Sequence, residues 1–219
     1  MRRTLVGTAF AGFSAFLVSS ASGQITNGSF EQPATATFVS VTAPDTVTIP
    51  GWNVMAGTVD VGNALGNGFF TGPAYHGTQG LDLNGSSAGT IRQAFPTTPG
   101  TSYILSFAYA NNYANTTSAP ASVVLRDNTN LFLSTTVTHS TSTAGNLDWT
   151  LFTHPFTAQE AITTLTFTSL IAGNGGLLLD GVSVVVPEPV TSAVIGTLAL
   201  ATARRRIRTS RAAPAPSVV

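Results

Sequence analysis

The feature that most constrains the fold of this 219-residue chain is a two-residue alternation of apolar and polar side chains through its middle. In SYILSFAYA, residues 102–110, large side chains occupy every second position from Tyr103 to Tyr109. In ITTLTFTS, residues 162–169, leucine and phenylalanine alternate with threonines. Because successive side chains of a β-strand point to opposite faces, this pattern predicts strands with one face on a core and one in water.

Short runs of β-forming residues alternate with turn-forming residues from 24 to 186, and no helical period persists there. Turn signals such as Pro50-Gly51 and Pro99-Gly100 separate the runs. Many short strands at this spacing favour an all-β, antiparallel sandwich, and their number and irregular connections favour a jelly roll over a barrel. The predicted strands lie near residues 47–49, 52–55, 58–61, 80–84, 89–95, 102–110, 121–126, 131–138, 148–156, 162–169 and 177–186.

The N-terminal end has the three parts of a secretory signal peptide. Two arginines precede an apolar stretch, residues 5–18, and small residues follow as far as Gly23. Ala21 and Gly23 form the small-x-small pattern that signal peptidase accepts. We therefore predict that residues 1–23 are a signal helix cleaved after Gly23, with cleavage after Ala21 as an alternative. An uncleaved anchor is disfavoured because the apolar run is shorter than the roughly 20 residues of a spanning helix.

The C-terminal end has a second targeting pattern, over residues 187–208. Its parts, in order, are the motif Pro187, Glu188 and Pro189, an apolar helix at residues 190–203, and a basic cluster that includes Arg204, Arg205 and Arg206. Prolines end a strand, and a basic flank beside an apolar helix stays cytoplasmic. This arrangement resembles the PEP-CTERM sorting signal of exopolysaccharide-producing bacteria.

That resemblance implies an exosortase as a partner, cleavage near the Pro-Glu-Pro motif, and transient anchoring in the inner membrane through the hydrophobic helix. An ordinary single-pass anchor is the alternative, and the apolar stretch is short for one. We predict that residues 209–219 are a disordered tail.

The predicted domain between the two ends, residues 24–186, is acidic. It contains eight carboxylate side chains against Arg92 and Arg126, and the whole chain has no lysine and no cysteine. Nucleic acid binding needs clustered cations that neutralise phosphates, so this composition excludes nucleic acid as a partner. Without cysteine the domain has neither disulfides nor a thiol nucleophile, so it depends on its core. Calcium or neutral sugars suit it better as ligands.

Several segments occur in the order found in one kind of module. The domain opens with NGSFE (residues 27–31), continues with GTVDV (57–61) and HGTQGLDLNGSSAGTIRQAF (76–95), and closes with GLLLDGVSV (176–184). In that order they resemble the choice-of-anchor C bacterial surface proteins and the related plant cell-wall proteins of domain-of-unknown-function family 642. The resemblance covers residues 25–186 and implies a galactose-binding-like jelly roll, the shape also used by many carbohydrate-binding modules.

Two carboxylates in the opening and closing motifs are candidate metal ligands. Asp180 lies in the apolar last strand, where an ionised carboxylate is costly to bury unless it is paired or bound to a cation. In the related modules a calcium ion lies where the first and last strands meet. The resemblance therefore implies a structural calcium held by Glu31 and Asp180, with carbonyls from around Ser29 and Gly77. The alternative is that Glu31 is a surface acid and Asp180 accepts hydrogen bonds from turn amides.

Aromatic side chains in polar or glycine-rich segments are the candidates for stacking on sugar rings. Tyr113 lies in the polar stretch AYANNYANTT, and Phe70 and Tyr75 lie in a glycine-rich stretch that would form a rim. Tyr109 is a further candidate. The two tryptophans are expected in the core, because large aromatics dominate core burial.

No catalytic constellation is visible in the sequence. The histidines lack metal-ligand spacing, no GxSxG motif occurs, and an acid pair such as Asp60 and Asp82 would have to flank a cleft. We therefore predict a non-catalytic module, exported to the cell surface or extracellular matrix, that binds extracellular or cell-wall polysaccharide. A structural matrix or cell-surface protein without a specific glycan ligand is the alternative, and a hydrolase is disfavoured.

Overall fold

A computed structural model of the chain describes residues 24–64 and 72–187. These residues form β-strands and no helix, and hence none long and apolar enough to cross a membrane, which confirms the all-β prediction. The predicted helices at the two ends lie outside the described residues. The strands are β1 (Phe38–Thr42), β2 (Asn53–Ala56), β3 (Thr58–Asn63), β4 (Gln79–Asp82), β5 (Thr90–Pro96), β6 (Ser102–Asn111), β7 (Ala119–Arg126), β8 (Leu131–His139), β9 (Thr150–Thr157), β10 (Ile162–Ser169) and β11 (Leu177–Val185).

The strands form two antiparallel sheets. Sheet A has six strands in the order β1-β3-β4-β11-β6-β9, and sheet B has five in the order β2-β5-β10-β7-β8. Most neighbours within a sheet are distant in sequence; β11, for example, pairs with β4 and with β6. The predicted antiparallel sandwich is confirmed.

The core between the sheets is rich in aromatic side chains. Trp52, Phe107 and Phe167 are fully buried. The ring of Phe167 lies 6.2 Å from that of Trp52 and 5.0 Å from that of Phe107. Such aromatic pairs contribute roughly 0.5–1.5 kcal/mol beyond the burial of their area. The indole N–H of Trp52 donates to the carbonyl of Asn27 at 3.2 Å, so its polar atom is also satisfied.

The alternation predicted for two strands is confirmed by burial. In β6, Tyr103, Leu105 and Phe107 are buried on the core side. In β10, Leu165 and Phe167 are fully buried and Thr164, Thr166 and Thr168 are partly exposed, whereas Thr163 is buried on the same face as Leu165. The sequence pattern therefore identifies the inward face of each strand correctly.

The strand predicted at residues 47–49 is wrong. Asp45 Oδ1 accepts the N–H of Val47 at 3.1 Å and that of Thr48 at 2.8 Å, and this makes the segment a turn. A side chain that binds the local backbone in this way competes with a strand ladder. Strand β1 lies earlier, at Phe38–Thr42, where the sequence predicts none. It is an edge strand with mostly exposed side chains, so its hydrophobic pattern is weak.

The start of the described chain lies along β11. The N–H of Gln24 donates to the carbonyl of Val184 at 3.0 Å, and the N–H of Val182 donates to the carbonyl of Gly28 at 2.9 Å. A register shift between Asp180 and Ser183 interrupts β11 at this point. The two ends of the domain are therefore neighbours, but the first and last strands do not meet as the resemblance implies, because β3 and β4 separate β1 from β11.

Candidate functional site

Residues 75–79, called here the anchored segment, are held by two carboxylates, of which Glu31 is the first. Glu31 Oε1 accepts the N–H of Thr78 and of Gln79, each at 2.9 Å, and Glu31 Oε2 accepts the hydroxyl of Thr78 at 2.9 Å. Desolvation alone would raise the pKa of Glu31, but these hydrogen bonds outweigh it and lower the pKa. Glu31 is therefore ionised at neutral pH and holds the segment as an acceptor.

Asp180 holds the anchored segment from β11. It is fully buried, its Oδ2 accepts the N–H of His76 at 2.8 Å, and its Oδ1 accepts the N–H of Gly181 at 2.6 Å. Burial, with the charge of Glu31 nearby, raises the pKa of Asp180 to about 7, and the backbone hydrogen bonds only partly offset this. The structure thus brings Glu31 and Asp180 to one segment. Asp180 accepts hydrogen bonds from backbone amides, as the alternative in the sequence analysis states.

Gly77 lies directly against the carboxylate of Glu31. A Cβ at Gly77, whose φ is +73°, would lie 2.4 Å from Glu31 Oε1, so the missing side chain leaves room for this carboxylate. Calcium prefers carboxylate and carbonyl oxygens, and an ion would favour the ionised form of Asp180. Within residues 24–64 and 72–187, no group of three or more His, Cys, Asp or Glu side chains is placed to hold a metal ion. The remaining ligands would be water or carbonyls such as those of Ser29 and Gly77.

An aromatic pair, one ring from the anchored segment and one from outside it, lies beside the two carboxylates. Tyr75 is 48% exposed, and its ring lies 6.3 Å from that of Trp149 in an edge-on arrangement. Trp149, predicted in the core, is instead half-buried, and its indole N–H donates to the carbonyl of Pro73 at 3.0 Å. The Tyr75 ring also lies over Gly181, where a Cβ would meet it at 3.1 Å. Tyr75 therefore packs against Gly181 and Trp149 while nearly half of its surface is exposed to solvent.

The other candidate sugar-stacking residues lie elsewhere. Tyr113 is 46% exposed in the loop that follows β6. Tyr109 is half-buried, with its ring 5.9 Å from Phe107 and 5.9 Å from His139, so it packs at the edge of the core. Phe70 lies outside the described residues.

A concave surface that the sequence analysis missed lies on the outer face of sheet B. In β10, Thr166 is the cross-strand partner of Arg92 from β5, and Thr164 is the partner of Arg126 from β7. The cavity has a volume of about 380 Å³ and is lined by Arg92, Arg126, Asp127, Asn128, Thr164 and Thr166. The alternation in β5 signals that Arg92 faces solvent, but no sequence signal places it near Arg126.

Asp60 and Asp82 form a second carboxyl pair, directly opposite each other in β3 and β4. Asp82 is 1% exposed and accepts hydrogen bonds at 2.8–2.9 Å from the N–H groups of Asn84 and Gly176 and from the Asn112 side chain. Burial raises the pKa of Asp82 to about 7 and also raises that of Asp60. Glycosidase carboxyls flank an open cleft, so this buried pair belongs to the packing of sheet A.

Residues 23–184 match the family model described as "Protein of unknown function (DUF642)". The chain is also 32% identical over 168 residues to halomucin from Haloquadratum walsbyi. That match covers 74% of this chain and 2% of halomucin, so the chain spans a small part of that relative's length.

Three solved carbohydrate-binding modules are similar to the chain. TmCBM61 in complex with beta-1,4-galactotriose has a TM-score of 0.47 and 13% identity, over 76% of this chain and 99% of that one. The CBM22-1 xylan-binding domain from Paenibacillus barcinonensis has a TM-score of 0.40 and 16% identity, over 69% and 95%. A family 35 module from Clostridium thermocellum has a TM-score of 0.38 and 17% identity, over 67% and 90%. At these scores the likeness supports no statement about what this chain binds.

Proposed function

The chain belongs to the DUF642 family, and from that premise we propose that it is an exported, non-catalytic jelly-roll sandwich that binds extracellular or cell-wall polysaccharide. The observation that carries the proposal is the exposed ring of Tyr75, which packs edge-on against the half-buried Trp149. Rigid aromatic side chains provide a large amphipathic contact area at low entropic cost. A sugar ring has an apolar face and polar edges, which matches a flat ring with a polar end.

The anchor beneath the pair supports the same function. Glu31 and Asp180 bind the backbone of the anchored segment, so the segment is ordered before any ligand arrives. Ordering a mobile side chain on binding costs about 0.5–1.5 kcal/mol, and a segment that is already fixed avoids this loss. Tyr75 therefore lies on a preorganised support.

Binding to polysaccharide is tested by affinity electrophoresis of the purified protein in gels that contain the host's exopolysaccharide, pectin or a soluble cellulose. We expect Tyr75→Ala to weaken the retention at least tenfold, which corresponds to about 1.4 kcal/mol. Leu151→Ala is the matched control: Leu151 on β9 is exposed to a similar extent, 55% against 48%, and is no candidate for stacking, so its loss should leave the retention unchanged. Absence of retention on every glycan would favour the alternative, a structural matrix protein without a specific glycan ligand.

A structural calcium ion is part of the proposal. Carboxylates of Glu31 and Asp180, with carbonyls near Ser29 and Gly77, would hold it and join the two ends of the domain in place of a disulfide. The buried carboxyl of Asp180 supports this, because the arginines among the described residues line the cavity on sheet B and do not neutralise it.

Scanning calorimetry of the protein, first in EDTA and then with calcium, tests the ion. We expect calcium to raise the melting temperature of the wild type and to leave that of Glu31→Gln unchanged. Asp148→Asn removes an exposed carboxylate elsewhere and should keep the response. Equal melting temperatures of the wild type in EDTA and in calcium would remove the ion from the proposal and leave polysaccharide binding to its own test.

We also propose that the chain is cleaved at both ends, as the resemblance to choice-of-anchor C proteins with a PEP-CTERM signal implies. Signal peptidase would cleave after Gly23, and an exosortase would cleave near Pro187-Glu188-Pro189, after transient anchoring in the inner membrane. The order of basic, apolar and small residues supports this route to the cell surface or extracellular matrix. The intact mass of the protein from its native host should correspond to a chain that begins at Gln24 and lacks the arginine cluster. The mass of the full chain would contradict it.

A further inference from the structure

We propose that the cavity on the outer face of sheet B binds a carboxylate of an acidic, uronic-acid-containing polysaccharide, with Arg92 and Arg126 as the anion-binding residues. The inference rests on the proposed function for its ligand class, polysaccharide. It concerns sheet B, whereas Tyr75 packs against Gly181 of sheet A. Both arginines are exposed, and residues 24–64 and 72–187 contain no other arginine and no lysine. An acidic domain thus has its permanent positive charges at one cavity.

The sheet fixes the spacing of the two arginines. Arg92 lies in β5 beside Thr166, and Arg126 lies in β7 beside Thr164, so the arginines flank the central strand β10 on a diagonal. Two strand-to-strand steps and a two-residue offset separate their Cα atoms by about 12 Å. Two long side chains can reach toward one ligand between them across that distance.

The guanidinium groups have donors left for a ligand. Arg126 donates through Nε to the carbonyl of Asp127 at 3.0 Å and through Nη2 to the carbonyl of Asn128 at 3.1 Å. These bonds orient the fork and leave three of its five N–H groups unused. The Arg92 side chain makes no hydrogen bond or ion pair with other described residues. A planar fork of N–H donors matches the two oxygens of a carboxylate.

The two acids beside the cavity, Asp127 and Glu160, accept hydrogen bonds from the turn that follows β7. Asp127 Oδ1 accepts the N–H of Thr129 at 2.9 Å and that of Asn130 at 2.6 Å. Desolvation alone would raise the pKa of Asp127, but these hydrogen bonds outweigh it and lower the pKa. Glu160 accepts the Asn128 side chain at 3.0 Å and the Thr129 hydroxyl at 2.9 Å. Their charges offset those of the arginines, so the cavity favours one well-placed carboxylate at a time over the higher charge density of a sulfated polymer.

The floor of the cavity suits the rest of a sugar unit. Thr164 and Thr166 are half-buried on β10, and their hydroxyls can both donate to and accept from sugar hydroxyls. The volume of about 380 Å³ falls within the roughly 300–1,000 Å³ of small-molecule sites. Arginine forks for the carboxylate and threonine hydroxyls for the ring together fit a uronate better than a neutral sugar.

Binding of polygalacturonate and of its methyl ester by titration calorimetry tests the inference, because the two polymers share a backbone and differ in the carboxylate. We expect the wild type to bind the acid at least tenfold more tightly, with a difference that shrinks as salt is added. Arg92→Gln and Arg126→Gln should each lower the affinity for the acid roughly tenfold or more and leave that for the ester unchanged.

The control for net charge is Arg92→Gln combined with Thr153→Lys. Thr153 is an exposed residue of β9 in sheet A, so the added lysine restores the total charge without restoring the cavity. We expect this double variant to behave like Arg92→Gln; recovery of binding would show that general charge suffices and would overturn the inference. Equal affinity of the wild type for acid and ester, or binding of dextran sulfate but not of polygalacturonate, would also overturn it. Binding of no polysaccharide at all would instead count against the proposed function.

Discussion

Replacement of Gly77 by alanine tests how the anchored segment is held. Two penalties add at this position. The first is the left-handed backbone, with φ of +73°, which costs an alanine about 1–2 kcal/mol. The second is a clash, since the new Cβ would lie 2.4 Å from Glu31 Oε1 and 2.7 Å from its carboxyl carbon.

The clash displaces the carboxylate that accepts the N–H groups of Thr78 and Gln79. A typical intramolecular hydrogen bond contributes about 0.5–1.5 kcal/mol, so the loss of both adds about 1–3 kcal/mol. We therefore expect Gly77→Ala to lower the free energy of unfolding by about 2–5 kcal/mol.

Gly100→Ala is the matched control. Gly100 has a similar φ of +81°, but nothing lies within 4 Å of a Cβ placed there, so it isolates the backbone penalty. Urea unfolding monitored by tryptophan fluorescence should show Gly77→Ala to be less stable than Gly100→Ala by about 1–3 kcal/mol. In a Glu31→Ala background that difference should largely disappear, because the clashing group is gone. Equal stability of the two glycine variants in the wild-type background would refute the role assigned to Glu31.

Two further predictions concern burial. Trp52→Phe should lower the free energy of unfolding by about 1–3 kcal/mol, because it shrinks a fully buried side chain and leaves the Asn27 carbonyl without its indole donor. In the same urea assay the control Leu151→Ala, at a side chain that is 55% exposed, should change the free energy of unfolding by less than about 0.5 kcal/mol. In EDTA, stability should fall as pH rises from 5 to 7. The folded pKa of about 7 for Asp82 and Asp180 exceeds the usual 3.8, so their ionisation costs the folded state up to about 1.4 kcal/mol per pH unit for each group. Asp82→Asn should reduce that slope, whereas a flat profile in the wild type would contradict the burial of both acids.

The strand pattern was largely readable from the sequence because burial repeats every second residue. The large side chains of β6 and the leucine and phenylalanine of β10 alternate with small or polar residues, and their inward faces follow directly. The prediction failed where local chemistry replaced this pattern. Asp45 binds the backbone of residues 47–49 and turns an apparent strand into a turn, and the exposed edge strand β1 has too little buried area to show alternation.

The sequence predicts the candidate sites only in part. Glu31 and Asp180 stand out in sequence, since one ends a family motif and the other is a carboxylate among leucines, and the structure brings them to one segment. The partnership of Tyr75 with Trp149 left no such signal. It depends on a loop that is fixed by residues far away in the chain, at both ends of the domain.

The amino-acid sequence predicts the strands of this protein, the buried face of most of them, and an acidic middle domain free of cysteine. It does not predict which strands are neighbours, and therefore does not show that Arg92 and Arg126 flank β10 and line one cavity. The reason is physical. Alternation reports where a side chain points relative to its own strand, whereas the order of strands in a sheet is set by pairing and packing between segments that are distant in the chain.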